Sequence, residues 1–218
     1  MKFTKPRQSG FTLVEIAIVL VIIGLLLGGV LKGQEMIENS RIKSVVSDFR
    51  GIAAAFTGYQ DRYHMLPGDE TNATAVARGW AVGGAGGLGT GTLVMAAGQT
   101  FTNTAANQVA MWAFLRASNF LTGDSTLIGV PALPRAGTGG LIGASVAPYG
   151  LQGPSVCVQN LSHKQAAGVD TIIDGAPDNR VGEARGSIAV VPAVAQPAVT
   201  TPYTETLATL WTMCRRLQ

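Results

Sequence analysis

The chain has 218 residues, enough for one domain or two small ones, and is 47% apolar but only 13% charged. The charged share is about half of the ~25% common in globular proteins, so part of the chain is expected in lipid, against partners or in uncharged polar loops. The net charge of +3 and pI near 9.1 come from Lys2, Lys5 and Arg7; without them 13 basic residues face 13 acidic ones, which excludes inferring nucleic-acid binding from the pI.

Residues 11–31 form an apolar run from Phe11 to Leu31 interrupted by one charge, Glu15. At about 1.5 Å per residue it is long enough to cross a hydrocarbon core of about 30 Å. The basic residues precede it and the next cation is Lys32, a bias that places the N-terminus in the cytoplasm. Helical periodicity then continues through residues 32–66. Ile42, Val45, Phe49, Ile52, Phe56, Tyr59 and Tyr63 recur every three or four positions, opposite Glu38, Arg41, Lys43, Asp48, Arg50 and Asp61. Leu66-Pro67-Gly68-Asp69 ends the pattern, because proline breaks the hydrogen-bond ladder and glycine turns the chain.

Residues 67–218 have the composition of a head. Residues 81–104 are rich in Gly, Ala and Thr around Gly83-Gly84-Ala85-Gly86-Gly87 and read as a flexible surface loop. A second helix is expected from about Thr104 to Phe120, with Val109, Trp112, Ala113 and Phe120 on its buried face. Short apolar runs then alternate with Gly and Pro: Thr126–Val130, Leu141–Val146, Ser155–Val158, Gly168–Ile173 and Ser187–Val194. They read as strands of a small antiparallel sheet. Cys157 and Cys214 fit no zinc or redox spacing. They close a long loop if the head is exported to an oxidising compartment, or stay as two buried thiols if it is not.

The junction Ser9-Gly10-Phe11-Thr12-Leu13-Val14-Glu15 carries the functional argument. An ordinary secretory signal has its small residues after the apolar core. Here Gly10 precedes the core, so a cut after it removes the basic leader and keeps the helix. An uncleaved anchor with an incidental glycine is the alternative. Glu15 weighs against that alternative, since a carboxylate in an apolar span is costly and a plain anchor has no use for it. A new α-amino group on Phe11 of a neighbouring copy offers it a cation.

Gly10 followed by Phe11-Thr-Leu-Val-Glu15 resembles the signal of type IV pilins and type II secretion pseudopilins. The resemblance implies cleavage between Gly10 and Phe11 by a prepilin peptidase, N-methylation of Phe11, and Glu15 as a filament-assembly contact. Later stretches are similar to larger pilin-like proteins: Tyr59–Tyr63 leading to Leu66–Asp69, Trp112–Leu115–Ala117 with Phe120–Gly123, and Asp174-Gly175-Ala176-Pro177-Asp178. Many pilins carry a proline where the stem leaves the membrane, and this chain has none there. Gly24, Gly28, Gly29 and Gly33 leave two readings open, a locally melted segment at Gly28–Gly33 or close packing against neighbouring helices.

Other candidate chemistry is thin. Gly83–Gly91 lacks the Lys-Ser/Thr of a phosphate loop, and His64 and His163 have no partners at ligand spacing. Asp170, Asp174, Asp178 and Glu183 offer oxygens to calcium, but without EF-hand spacing a solvated turn is the simpler reading. No hydrolase or zinc-protease motif is present, so a non-enzymatic role without cofactor is expected. The expected architecture is α+β and pilin-like: a leader at 1–10, a transmembrane half at 11–31, an amphipathic stem at 32–66 and a head at 67–218. The resemblance implies a structural subunit of a type IV pilus. Its implied partners are other pilin subunits, prepilin peptidase, inner-membrane assembly machinery and the lipid bilayer, with no nucleic acid. A type II secretion pseudopilin or a permanently anchored periplasmic binding protein are the alternatives. The implied location is the bacterial inner membrane, head periplasmic, and then a pilus or pseudopilus.

Overall fold

A computed structural model describes residues 10, 12–188, 192–194, 203 and 210–218. The chain divides into two compact units, Met1–Asn39 and Ser40–Gln218. Helix α1 runs unbroken over Leu13–Tyr63, 51 residues. It passes through Gly28–Gly33 without interruption, so the melted segment allowed by the sequence is not found.

From Leu13 to Leu31 every apolar side chain of α1 is exposed. In the second unit the helix changes character. Ile42, Val45, Val46, Phe49, Ile52, Ala55, Phe56 and Tyr59 are buried, the stripe expected from the periodicity. They join the core formed with α3 (Ala106–Ala117), α4 (His163–Asp174) and the sheet. Strands β1 (Ile142–Val146), β2 (Pro154–Leu161), β3 (Ala184–Ser187) and β4 (Trp211–Arg216) form one antiparallel sheet in the order β1-β2-β4-β3. The register places Cys157 opposite Cys214, and a buried disulfide joins them.

Four expectations are corrected. Gly168–Ile173 is not a strand but the second half of α4. Ser162 Oγ accepts from Gln165 N, Gln165 Oε1 accepts from Ser162 N, and Gly175 at φ +86° ends the helix. Thr126–Val130 forms no strand either: Asp124 Oδ1 accepts from Thr126 N, Ser125 O accepts from Gly83 N, and a short 3-10 turn starts at Val130. In place of Ser187–Val194, β3 begins earlier and ends at Ser187, while residues 189–191 lie outside the described residues. Its partner strand β4 is not evident from sequence, since Trp211-Thr-Met-Cys-Arg-Arg ends in two charges and lacks alternation.

The fourth correction concerns the glycine-rich loop, which is anchored rather than free. Gly86 and Gly87 are buried, and a Cβ on Gly87 would overlap the backbone of Gly68 and Asp69. Gly87 N donates to Glu70 O (2.6 Å), and Asp69 Oδ1 and Oδ2 accept from Thr90 N (3.0 Å) and Gly91 N (2.6 Å). The neighbouring Glu70 is fully buried. It accepts from Tyr59 OH (2.6 Å) and pairs with Arg78 Nη1 (2.6 Å), whose guanidinium also stacks 4.4 Å from the Tyr63 ring centroid. A short helix that the sequence pattern does not announce, α2 (Asn72–Ala77), carries the chain from Glu70 to Arg78.

Removing one member of a buried ion pair strands the other, at about 3–5 kcal/mol. Glu70→Ala is therefore expected to lower the unfolding free energy by about that amount, and Glu35→Ala, in an exposed pair with Lys32, by about 1 kcal/mol or less. Denaturant titration of the full chain in detergent checks both.

Candidate functional site

The N-terminal junction is the site to which the sequence points. Gly10 and Thr12 lie outside the helix, Gly10 is exposed, and α1 begins at Leu13. Phe11, the expected new N-terminus and methylation position, and the leader through Ser9 lie outside the described residues.

Thr12 and Glu15 lock the start of α1 together. Thr12 N donates to Glu15 Oε2 (2.9 Å), Glu15 N donates to Thr12 Oγ1 (3.3 Å), and Thr12 Oγ1 donates to Glu15 Oε2 (3.0 Å). This is a capping box, with Thr12 as N-cap and Glu15 at the third helical position. It satisfies amides that a helix start otherwise leaves unpaired, and it puts a negative charge at the positive end of the helix dipole. The expectation that a plain anchor has no use for Glu15 is thus revised, since the cap serves any helix that starts here. Thr-x-x-Glu is the sequence signal for this cap, and Thr12 is the functional residue that the cleavage motif alone does not single out. Only Oε2 takes part in the box; Oε1 makes none of these bonds.

Beyond the cap, α1 has the length and composition of a membrane span, with a mean hydropathy of 2.8 over its most apolar window and no burial there. Leu13 is 90% exposed, and an added Cβ at Gly24, Gly28, Gly29 or Gly33 would touch nothing within 4 Å. A soluble core helix would bury this surface within its own chain.

Residues 5–31 match the family model of the prokaryotic N-terminal methylation motif. The chain carries a prepilin signal. The prepilin signal covers the end of the leader, the junction and the apolar run, and with the long helix and four-stranded head it makes the fold α+β and pilin-like. The motif implies a structural protein that is processed by prepilin peptidase and assembles with other pilins, and it fits anchoring in the inner membrane. Comparison with curated proteins and with solved structures finds no match.

The acidic residues considered for calcium serve the head instead. Asp174 Oδ1 and Oδ2 accept from Glu183 N and Ala184 N (both 2.9 Å), and Asp178 Oδ1 accepts from Arg180 N (3.0 Å). Asp170, fully buried, accepts on Oδ2 from Asp178 N (2.6 Å) and Tyr203 OH (3.1 Å). These bonds tie the turn after α4 to the start of β3, and among the described residues no group of three or more such side chains is arranged to hold a metal. His64, also considered, is exposed at the end of α1 with φ +55°.

Burial pushes the Asp170 carboxyl up to about 7, the hydrogen bonds from Tyr203 and Asp178 oppose this, and the Asp174 charge adds to it. The folded chain thus holds this proton more tightly than the unfolded chain, where the ordinary value is 3.8. The resulting stability is complete below about 3.8 and is lost as pH rises through about 7. Between those limits the melting temperature of the wild type should fall with rising pH more steeply than that of Asp170→Asn; parallel curves would show that Asp170 does not titrate there.

Proposed function

We propose that the chain is a structural subunit of a type IV pilus or a closely related filament, cut between Gly10 and Phe11 and methylated on Phe11. The observation that supports this reading is the prepilin signal at residues 5–31, joined to a helix whose apolar surface its own chain leaves uncovered. The subunit sits in the inner membrane with its N-terminus in the cytoplasm and its head in the periplasm. The Cys157–Cys214 disulfide suits that oxidising side. Segment 11–31 is the transmembrane half, 32–66 the stem and 67–218 the head.

Assembly exchanges lipid around α1 for neighbouring helices. The close approach possible at Gly24, Gly28, Gly29 and Gly33 favours such contacts. In the filament Glu15 pairs with the α-amino group of Phe11 on an adjacent subunit, which selects one axial offset over others. Its Oε1, outside the capping box, is the oxygen suited to this pair. The role is not enzymatic.

Two measurements test the reading. Mass spectrometry should find a chain beginning with methylated Phe11 when prepilin peptidase is present and one beginning with Met1 when it is absent; an uncut chain in both cases would falsify it. At Glu15, glutamine keeps the cap's acceptor but removes the charge, whereas alanine removes both. Both variants should insert and be cleaved, and both should form at least about tenfold fewer filaments if a single charge pair near 1.4 kcal/mol selects the offset. Normal assembly of Glu15→Gln with failure of Glu15→Ala would assign Glu15 to capping alone.

A further inference from the structure

Glycine inside a helix weakens it relative to alanine, so each such glycine calls for a reason. Within Ser40–Gln218 the described α-helices contain Gly51, Gly58 and Gly168. A Cβ on Gly58 would come within 2.8 Å of the Phe120 ring, and one on Gly168 within 2.6 Å of Ile42. Both glycines allow close packing inside the chain. Gly51 does not: a Cβ there would meet nothing within 4 Å.

The space at Gly51 belongs to a cleft of about 220 Å³ lined also by Asp48, Arg116 and Arg135. Arg116 is only 9% exposed. Its Nη2 donates to Ala132 O (2.5 Å) and its Nε to Thr122 O (3.4 Å), while Nη1 has no acceptor. No carboxylate among the described residues lies within ion-pair distance of it. Burial pushes this guanidinium below its ordinary value, opposed by the more distant charge of Asp124. Buried cations in folded proteins are normally paired. Arg135, exposed, adds a second guanidinium, with Nη1 donating to Gly139 O (3.2 Å). Asp48 is the acid in the cleft lining, and its Oδ2 already accepts from Gly137 N (3.2 Å).

We propose that this cleft binds a carboxylate group, seated over Gly51 and held by Arg135 with the unpaired charge of Arg116 behind it. Two guanidinium groups against one carboxylate favour a single negative charge, and the planar fork of arginine matches a carboxylate. A doubly charged phosphate would face Asp48 at greater cost. The carboxylate comes either from an acidic side chain of a second copy, which rests on the filament reading, or from a small free acid.

The experiment uses the full chain in detergent, labelled with 15N-arginine and titrated with acetate, with inorganic phosphate in parallel. Saturable shifts of arginine Nε–H signals are expected with acetate, at a Kd on the order of 1 mM, and weaker ones with phosphate. Gly51→Leu should fill the cleft, keep or raise the melting temperature, and weaken acetate binding at least about tenfold; Arg135→Gln should weaken it as well. No saturable shift in the wild type, or unchanged acetate binding in Gly51→Leu, overturns the proposal. If Gly51→Leu loses acetate binding and is cleaved but fails to assemble, the second copy is the source; if it assembles normally, a free acid is. A wild-type chain that is never cleaved or assembled counts against the filament reading alone, because the acetate titration needs neither.

Discussion

An α-helix satisfies its own backbone wherever it is placed, but it cannot hide side chains that are apolar on every face. That constraint governs the first half of α1. From Leu13 to Leu31 leucine, isoleucine and valine surround the axis, and nothing described in the chain covers them. Only lipid or other apolar helices can solvate such a surface, and a helix is one of the two backbone forms that survive there. The unpaired amides of the first turn are the remaining difficulty, and Thr12 and Glu15 resolve part of it locally. From Ile42 onward the same helix obeys the other rule, with one apolar stripe buried in a core and charges elsewhere.

Where α1 ends, two adjacent acids organise the first part of the head. Helix α1 stops at Tyr63, where His64 leaves it at φ +55°, and beyond the Pro67-Gly68 turn Asp69 and Glu70 divide the work. Asp69 takes amides from Thr90 and Gly91, which holds the glycine-rich segment; Glu70 turns inward to Tyr59 and Arg78, which holds the segment to the helix end. α3 completes the arrangement, since Asn107 Nδ2 donates to Gly68 O (2.8 Å). Gln108 on α3 donates to Ala144 O (2.7 Å) in β1, so a helix buried on all sides is connected to both the turn and the sheet.

The features legible in the sequence are those set by a period or a local motif. The apolar run, the stripe from Ile42 to Tyr59 and the second helix, observed at Ala106–Ala117, all follow from spacing. The features that sequence does not reveal depend on contacts distant in the chain. The glycines at 86 and 87 suggest freedom, but they are small because the backbone at 68–72 lies against them. Trp211–Arg216 becomes a strand because β2 and β3 flank it, not because its residues alternate. α4 is a different case: Ser162-x-x-Gln165 and Gly175 are local helix signals, and they deserve more weight than the apolar run Gly168–Ile173 that suggests a strand. At the junction the cleavage motif is legible, while the capping pattern inside it is easily passed over because a carboxylate beside an apolar run invites a long-range explanation first.

That capping pattern bears on how one carboxylate can serve two purposes. A glutamate side chain free to rotate loses conformational entropy when it forms an ion pair, and that loss offsets part of the attraction. In this chain Oε2 is already held by Thr12, so the side chain is ordered before any partner arrives. On the filament reading, an incoming ammonium group meets an acceptor whose position the helix start has fixed. The capping box and the assembly contact then do not compete. The first reduces the entropic cost of the second, and it also explains why threonine belongs three residues before the glutamate.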